Sequence, residues 1–225
     1  ALLKVLESKG VKADVTAGLS LGEYGALAAA NVMELKDLFH LIRKRGIYMQ
    51  EAYPVGGAMT AVLGLDSDKI YEICEQTEGI VTIANYNCPG QLVISGSIEA
   101  VDAACERLKA AGARRALRLP VGGAFHSPLM EPAKVELQAA IEAAPFKTPI
   151  CPIYQNVDAK PYTDPEQIKA NLIAQLTAPV RWTYIVQNML ADGADSFVEL
   201  GPGAVLQGLI KKVSREADAV SKATL

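Results

Sequence analysis

The chain has 225 residues, 50% hydrophobic and 21% charged, enough to bury a sizeable core as one domain or as a domain with an insert. The net charge of −3 at pH 7 provides no global basic field for nucleic acid, so we expect no nucleic-acid partner. No apolar run reaches the roughly 18 residues needed to span a bilayer, so we expect no membrane-spanning segment.

The first predicted elements lead to a serine. Residues 1–9 have helical periodicity, and the sequence VTAGLSLGEY follows at 15–24. Its G-x-S-x-G pentapeptide follows an apolar lead-in and precedes an alanine-rich run, which predicts a strand, a tight turn and a helix. Such a turn exposes the hydroxyl of Ser20 and points the N–H of Leu21 at an oxyanion. The pentapeptide alone also occurs in ordinary glycine-containing turns.

Two histidines could serve as the base. His40 lies in the helical pattern of 34–52 and is predicted on a helix surface. His126 follows two glycines in a predicted loop, and Ser127 and Pro128 then open a new helix. A loop histidine is commonly just solvated, but a serine elbow needs a base. We therefore assign Ser20 and His126 as nucleophile and base.

The middle of the chain changes architecture. Strands are predicted at 58–65, 80–85, 91–96 and 114–121, with helices at 67–77 and 97–112. This β-α-β-β-α-β order is typical of a ferredoxin-like module. Afterwards we predict a helix at 128–144, a strand-like segment at 149–156, helices at 165–176 and 179–192, and a strand at 196–201. We therefore expect an α/β body with a parallel sheet (1–54 and 120–225), interrupted by a ferredoxin-like subdomain (55–119).

The cysteines give no sign of a metal or disulfide site. Cys74, Cys88, Cys105 and Cys151 include no C-x-x-C pair, and only two histidines could assist them. Each is predicted to be a small buried hydrophobe. A reduced cytoplasmic setting is the simplest interpretation.

Five segments together resemble the malonyl-CoA:acyl carrier protein transacylases and the acyltransferase domains of fatty acid and polyketide synthases. They are GLSLGEY at 18–24, RKRGIYMQEA at 43–52, NYNCPGQLVISG at 85–96, GAFHSPLM at 123–130, and AQLTAPVRW through ELGPGAVLQGL at 174–210. The resemblance covers essentially the whole chain and implies an α/β-hydrolase-like body. It implies a ping-pong transfer for fatty acid synthesis, in which Ser20 takes malonyl from malonyl-CoA and the phosphopantetheine thiol of holo-acyl carrier protein removes it. It also implies a monomer when complete, with no cofactor and no metal.

The resemblance assigns further residues to the site. Arg45 would bind the malonyl carboxylate, for which a guanidinium can make two parallel hydrogen bonds. Met49 would line the acyl pocket, and Asn87 would approach the site from the insert. Gln175 would orient His126 through its backbone carbonyl, and the family has no acidic third member. Without the resemblance, Arg45 would be read as a solvated helix face and Met49 as core.

The residue before His126 bears on substrate choice. In the resembling synthase domains, A-F-H, found here at 124–126, accompanies malonyl, because the ring of Phe125 would occupy the space of a methyl branch. The alternative is that Phe125 simply packs under the insert.

The chain departs from the family pattern in two places. Leu19 stands where the family has histidine. The family also begins with a strand and a G-Q-G loop that we do not find, so we expect this sequence to be a fragment whose activity is reduced.

Two alternatives to the transferase stay open. A serine esterase or thioesterase would pass the acyl group to water, but a hydrolase of neutral esters gains nothing from a buried cation at Arg45. A non-catalytic docking module for a carrier protein is the other alternative. Ser20 and His126 argue against it without excluding it.

Overall fold

The computed structural model describes residues 2–222 as a mixed α/β chain. The helices are α1 (Leu2–Ser8), α2 (Gly22–Ala29), α3 (Leu35–Ala52), α4 (Ser67–Glu75), α5 (Ile98–Ala110), α6 (Glu131–Ala143), α7 (Pro165–Gln175), α8 (Trp182–Ala191) and α9 (Val205–Val213). The strands are β1 (Thr16–Ala17), β2 (Gly57–Leu63), β3 (Val81–Cys88), β4 (Gln91–Ser97), β5 (Arg115–Arg118), β6 (Ile153–Tyr154), β7 (Pro161–Tyr162), β8 (Ser196–Leu200) and β9 (Asp218–Lys222). A short 3₁₀ helix, Pro128–Met130, precedes α6. The predicted domain limits at residues 1 and 225 lie outside the described residues.

The first sheet carries the G-x-S-x-G turn. In it β1 pairs in parallel with β6, and β6 pairs antiparallel with β7. Helices α2, α3, α6 and α7 contribute to one core, in which Leu27, Leu38, Leu137 and Leu172 are buried. Burying each such side chain stabilises the fold by about 1.5–3 kcal/mol. This core supports α2, which begins directly after the serine turn, and α3, which follows it.

A four-stranded antiparallel sheet forms the middle of the chain, in the order β3-β4-β2-β5. Strands β2 and β4 stay in register from Gly57 opposite Ser97 to Leu63 opposite Gln91. Helices α4 and α5 pack on this sheet, and the Ser97 hydroxyl caps α5 by accepting a hydrogen bond from the N–H of Ala100. The predicted β-α-β-β-α-β order of elements is therefore present between residues 57 and 118.

The last third of the described chain builds a separate core. Strands β8 and β9 pair in parallel, and α8 and α9 bury Trp182, Ile185 and Leu209 near them. The loop before α8 touches the middle sheet, where Val180 accepts from the N–H of Tyr86 (2.9 Å) and donates to the carbonyl of Ala84 (2.8 Å). No helix among residues 2–222 is long and apolar enough to cross a membrane.

The body differs from the single parallel sheet predicted for it. Within residues 2–222 it contains two small sheets, each with one parallel pair. The strand-like segment 149–156 shortens to Ile153–Tyr154 because Pro149 and Pro152 cannot donate to a sheet. Strands β7 and β9 were not predicted.

Candidate active site

Ser20 lies at the turn between β1 and α2. Its φ of 52° falls in the left-handed region, which is rare for a non-glycine residue and typical of a strained serine elbow. The backbone N–H of Ser20 donates to Oδ1 of Asn156 at 2.6 Å. This bond holds the strained peptide in place and leaves the Ser20 hydroxyl free for other partners.

Gly18 allows the two ends of the turn to approach each other. A Cβ at Gly18 would lie 2.0 Å from the carbonyl carbon and oxygen of Gly22 and 2.5 Å from the nitrogen of Glu23. Apart from its two chain neighbours and the adjacent backbone of its own helix, a Cβ at Gly22 would meet no heavy atom of the described residues within 4 Å. Of the two glycines that flank Ser20, only Gly18 is therefore required by a close backbone contact.

His126 lies in the loop between β5 and the 3₁₀ helix, also with a left-handed φ, 57°. Its Nε2 is 2.7 Å from Oγ of Ser20, and its Nδ1 is 2.9 Å from the main-chain oxygen of Gln175. Because a carbonyl only accepts, the proton belongs on Nδ1 and the lone pair of Nε2 faces the serine hydroxyl. The structure thus brings together the predicted nucleophile, base and orienting carbonyl. His40, by contrast, is exposed on α3.

The protonation state of His126 suits a general base. The side chain is 3% exposed, and burial lowers its pKa from 6.5 to about 4. The hydrogen bond to the carbonyl of Gln175 opposes this shift, and the positive charge of Arg45 adds to it. The imidazole is therefore neutral at pH 7 and can accept the serine proton.

Arg45 reaches the same hydroxyl from α3. Its Nη2 donates to Oγ of Ser20 at 3.0 Å and to Oε1 of Gln175 at 3.2 Å. Its guanidinium carbon lies 5.5 Å from the ring centre of Tyr24, a cation–π contact. Burial lowers the pKa of Arg45, although the guanidinium stays charged. Its Nε is buried without a partner among the described residues, and Nη1 donates to none of them.

A cavity of about 300 Å³ opens beside the hydroxyl of Ser20. It is lined by Ser20, Arg45, Gly46, Met49, Gln50, Met59, Asn85, Phe125 and His126. The structure therefore places the predicted Met49 and Phe125 in the wall of this cavity. Gly123 makes room for the aromatic ring, because a Cβ there would lie 2.3 Å from Phe125 Cε1. The middle sheet contributes Met59 from β2 and Asn85 from β3.

Asn87 is not among the residues that line this cavity, and Asn85 takes that place. The pairing of β3 with β4 shifts between Ile83 and Asn85 and again between Tyr86 and Cys88. Asn87 falls within the second shift and has no register partner on β4. Since a bulge changes which side chains share a face, the sequence pattern alone could not decide between the two asparagines.

The residues on either side of Ser20 have distinct roles. The backbone N–H of Leu21 donates to no group among the described residues, and it lies at the start of α2. It is therefore available to an oxyanion, as predicted from the turn. Leu19 packs against the core that contains Trp182, so the leucine that replaces the family's histidine contributes apolar contacts.

A buried polar network behind the elbow was not predicted. It contains Glu23, Gln155, Asn156, Asn171 and Gln175, all of them at most 8% exposed. The sequence gives one signal for it, because a Gln-Asn pair directly follows the buried strand β6. Glu23 gave none, because a glutamate in the first turn of a helix is usually explained by the helix dipole.

Other chemical groups lie outside this arrangement. The four cysteines are buried and free, and burial raises the pKa of each. A second cavity of about 350 Å³ lies between α5 and β5 and shares no residue with the first. Within residues 2–222, no group of three or more His, Cys, Asp or Glu side chains could hold a metal ion.

A neutral buried imidazole that faces a serine hydroxyl at a strained elbow, beside a free backbone N–H, defines a serine-nucleophile enzyme of acyl chemistry. The family model described as acyl transferase domain matches residues 1–225. The malonyl CoA-acyl carrier protein transacylase of Bacillus subtilis (strain 168) is 44% identical in an alignment 225 positions long, which covers 98% of this chain and 71% of the relative.

Solved structures agree with these sequence matches. The acyl carrier protein S-malonyltransferase of Vibrio cholerae superimposes with a TM-score of 0.97 at 41% identity, over 100% of this chain and 74% of that one. A malonyl-transacylase in complex with its holo type II PKS acyl-carrier protein also has a TM-score of 0.97, identity 41% and the same coverage. The chain belongs to the acyl transferase domain family and, within it, to the malonyl CoA-acyl carrier protein transacylases.

Proposed function

We propose that the chain moves a malonyl group from malonyl-CoA, through an ester on Ser20, to the phosphopantetheine thiol of holo-acyl carrier protein for fatty acid synthesis. The observation that carries the proposal is the position of Oγ of Ser20, 2.7 Å from Nε2 of His126 and 3.0 Å from Nη2 of Arg45. One contact removes a proton, and the other places a buried cation where the free carboxylate of malonyl needs a partner. The names of the relatives support this choice of substrate and acceptor.

The first half-reaction forms the ester. Nε2 of His126 takes the proton of Ser20 as Oγ attacks the thioester carbon of malonyl-CoA. The negative charge that develops on the thioester oxygen is stabilised by the N–H of Leu21. When the carbon–sulfur bond breaks, the coenzyme A thiolate takes from His126 the proton that came from Ser20, and it leaves as a thiol.

The second half-reaction reverses these steps with a different thiol. The phosphopantetheine thiol of the carrier gives its proton to His126 and attacks the ester carbon. The bond to Oγ breaks, and Ser20 recovers the proton. The reaction exchanges one thioester for another and changes no oxidation state, so it needs no redox cofactor. We propose that no other cofactor and no metal takes part.

Intact-mass measurement after mixing with malonyl-CoA tests the proposal. We expect one malonyl adduct, absent in Ser20→Ala and formed at least about 1,000-fold more slowly in His126→Ala. Ser196→Ala, which changes an exposed serine on β8, serves as the matched control and should behave as the unaltered chain.

Three results would contradict the proposal. Rapid release of free malonate would indicate an esterase or thioesterase. No adduct on the unaltered chain would indicate a docking module without catalysis. An adduct on another residue of Ser20→Ala would remove the assignment of the nucleophile.

We further propose that Phe125 selects malonyl over methylmalonyl. Its ring forms part of the cavity wall beside His126, where it would occupy the space of a branch on the α-carbon. A single methyl is worth about 1–3 kcal/mol of discrimination. Phe125→Ser should therefore raise kcat/KM for methylmalonyl-CoA relative to malonyl-CoA about 10-fold or more. An unchanged ratio would mean that the ring only packs.

We also propose a finer description of the architecture. The order β3-β4-β2-β5 with two helices on the sheet supports a ferredoxin-like subdomain over 55–119. The serine elbow between β1 and α2 supports an α/β-hydrolase-like body over the remaining residues. Limited proteolysis at the two junctions would test this division into subdomain and body, and cleavage scattered inside both units would contradict it.

We propose as well that the enzyme is monomeric and cytoplasmic.

A further inference from the structure

Glu23 is fully buried on α2, yet it does not line the cavity. Its carboxylate accepts three hydrogen bonds from N–H donors. Oε1 accepts from Nε2 of Gln155 at 2.9 Å. Oε2 accepts from the backbone N–H of Asn156 and from Nε2 of Gln175, both at 2.9 Å. A carboxylate that meets only donors is held in one orientation and holds its partners in return.

One of these partners, Asn156, contacts the nucleophile. Asn156 accepts from the N–H of Ser20 at 2.6 Å through Oδ1 and donates from Nδ2 to the carbonyl of Gly18 at 2.7 Å. Both sides of the elbow therefore hang on one amide side chain. The backbone of that asparagine is in turn fixed by Glu23.

Another of these partners, Gln175, contacts the base. The main-chain oxygen of Gln175 accepts from Nδ1 of His126 at 2.9 Å. Its side chain donates to the carbonyl of Ser20 at 3.2 Å and accepts from Nη2 of Arg45 at 3.2 Å. The amide group of Gln175 thus has its direction set by Glu23 on one side and by Arg45 on the other.

Resting on the proposed transfer reaction, we propose that Glu23 is a positioning residue: its carboxylate holds Asn156 and Gln175, which hold Ser20 and His126 in reacting geometry, and protonation of the carboxylate loosens both. A protonated oxygen would present its own donor or lose acceptor strength toward these N–H groups.

The charge state of this carboxylate is sensitive near neutral pH. Burial raises the pKa of Glu23 from 4.5 to about 7, and the bonds from Asn156, Gln155 and Gln175 oppose the rise. The charge of Arg45 on α3 also lowers it. Tyr24 follows Glu23 on the same helix, and burial raises the pKa of its phenol, so it stays neutral. The groups that face Glu23 from the β6 loop and from α7 are amides.

The test is the pH dependence of malonyl transfer in the unaltered chain and in Glu23→Gln. In the unaltered chain we expect kcat/KM to fall as pH drops through about 7. In Glu23→Gln, kcat/KM at pH 8 should be about 10- to 100-fold lower, and the fall near pH 7 should be absent. A residue that serves only folding would lower activity without removing that limb.

Glu136→Gln, an exposed position on α6, is the matched control and should keep the unaltered profile. An unaltered chain without malonyl transfer would contradict the proposed function. An active chain whose acid limb is the same in Glu23→Gln would overturn the role of Glu23. If the variant does not fold, the unaltered chain still decides, because a flat profile between pH 6 and 8 overturns the proposal.

Discussion

A single nitrogen of Arg45 makes both of its side-chain hydrogen bonds within the described residues. Its Nη2 serves both Ser20 and Gln175, while Nε and Nη1 donate to nothing among the described residues. A buried guanidinium with unused donors is unfavourable on its own. The cation–π contact with Tyr24 and the charge of Glu23 offset part of this cost, and under the proposed function an arriving malonyl carboxylate would satisfy the unused donors.

Replacing this arginine should change substrate preference more than general activity. Arg45→Ala removes roughly 1.5–3 kcal/mol of charge-assisted bonding from malonyl and none from acetyl, so malonyl transfer should fall about 10- to 100-fold relative to acetyl transfer. Arg45→Lys should restore part of the preference, because lysine lacks the planar fork. The quantity to measure is the ratio of kcat/KM for malonyl-CoA and acetyl-CoA.

Lys44→Ala provides the control, since Lys44 neighbours Arg45 on α3 but is exposed. Its ratio should match the unaltered chain. Equal losses for both substrates in Arg45→Ala would show that Arg45 supports the fold and not malonyl recognition.

Among the secondary-structure elements, the long periodic segments were predictable and the contacts between them were not. Helix α3 and the β-α-β-β-α-β run follow directly from hydrophobic spacing. The bulges of β3, which exchange Asn85 for Asn87 at the cavity, depend on pairing with β4. The role of Glu23 depends on amides more than 130 positions away in sequence, |i−j| being 132 for Gln155 and 133 for Asn156. Local patterns carry no information about such distant partners.

The elbow offers a test at this scale, because its two glycines differ. Gly18→Ala would place a Cβ 2.0 Å from the backbone of Gly22, so we expect a loss of about 3 kcal/mol or more in the free energy of unfolding. Gly22→Ala meets no neighbour among the described residues and lies in the first turn of α2, so stability should hold or rise by about 0.4–1 kcal/mol. Urea unfolding of both variants measures the difference. Equal destabilisation would contradict this account of the turn.

The whole molecule responds to pH through two buried groups with opposite shifts. A carboxyl pKa raised from 4.5 to about 7 gives Glu23 a stabilising contribution that is complete below pH 4.5 and lost as pH rises through 7. An imidazole pKa lowered from 6.5 to about 4 gives His126 a contribution that is complete above pH 6.5 and lost as pH falls through 4. Between pH 4.5 and 6.5 the folded chain keeps one proton on Glu23, while the unfolded chain keeps one on His126. The pH dependences of the two contributions therefore cancel in this range.

Glu23→Gln should remove the contribution of Glu23 and leave the pH dependence of stability that His126 contributes. The free energy of unfolding of the variant should rise relative to that of the unaltered chain between pH 4.5 and 7, by about 3 kcal/mol at about 1.4 kcal/mol per pH unit. Urea unfolding at a series of pH values measures this difference, and Glu136→Gln should show none. A difference that does not vary with pH would mean that Glu23 titrates as an ordinary exposed carboxyl.

The pair of main-chain bonds at Val180 ties β3 of the middle sheet to the loop before α8. That strand carries Asn85, one wall of the cavity, while Arg45 on α3 forms another. The strand at this edge of the sheet is thereby closed to further pairing along these positions, which removes a template for association between chains. The same two bonds attach the strand that carries Asn85 to the loop before α8, so the position of this cavity wall depends on the packing of the last third of the described chain as well as on the middle sheet.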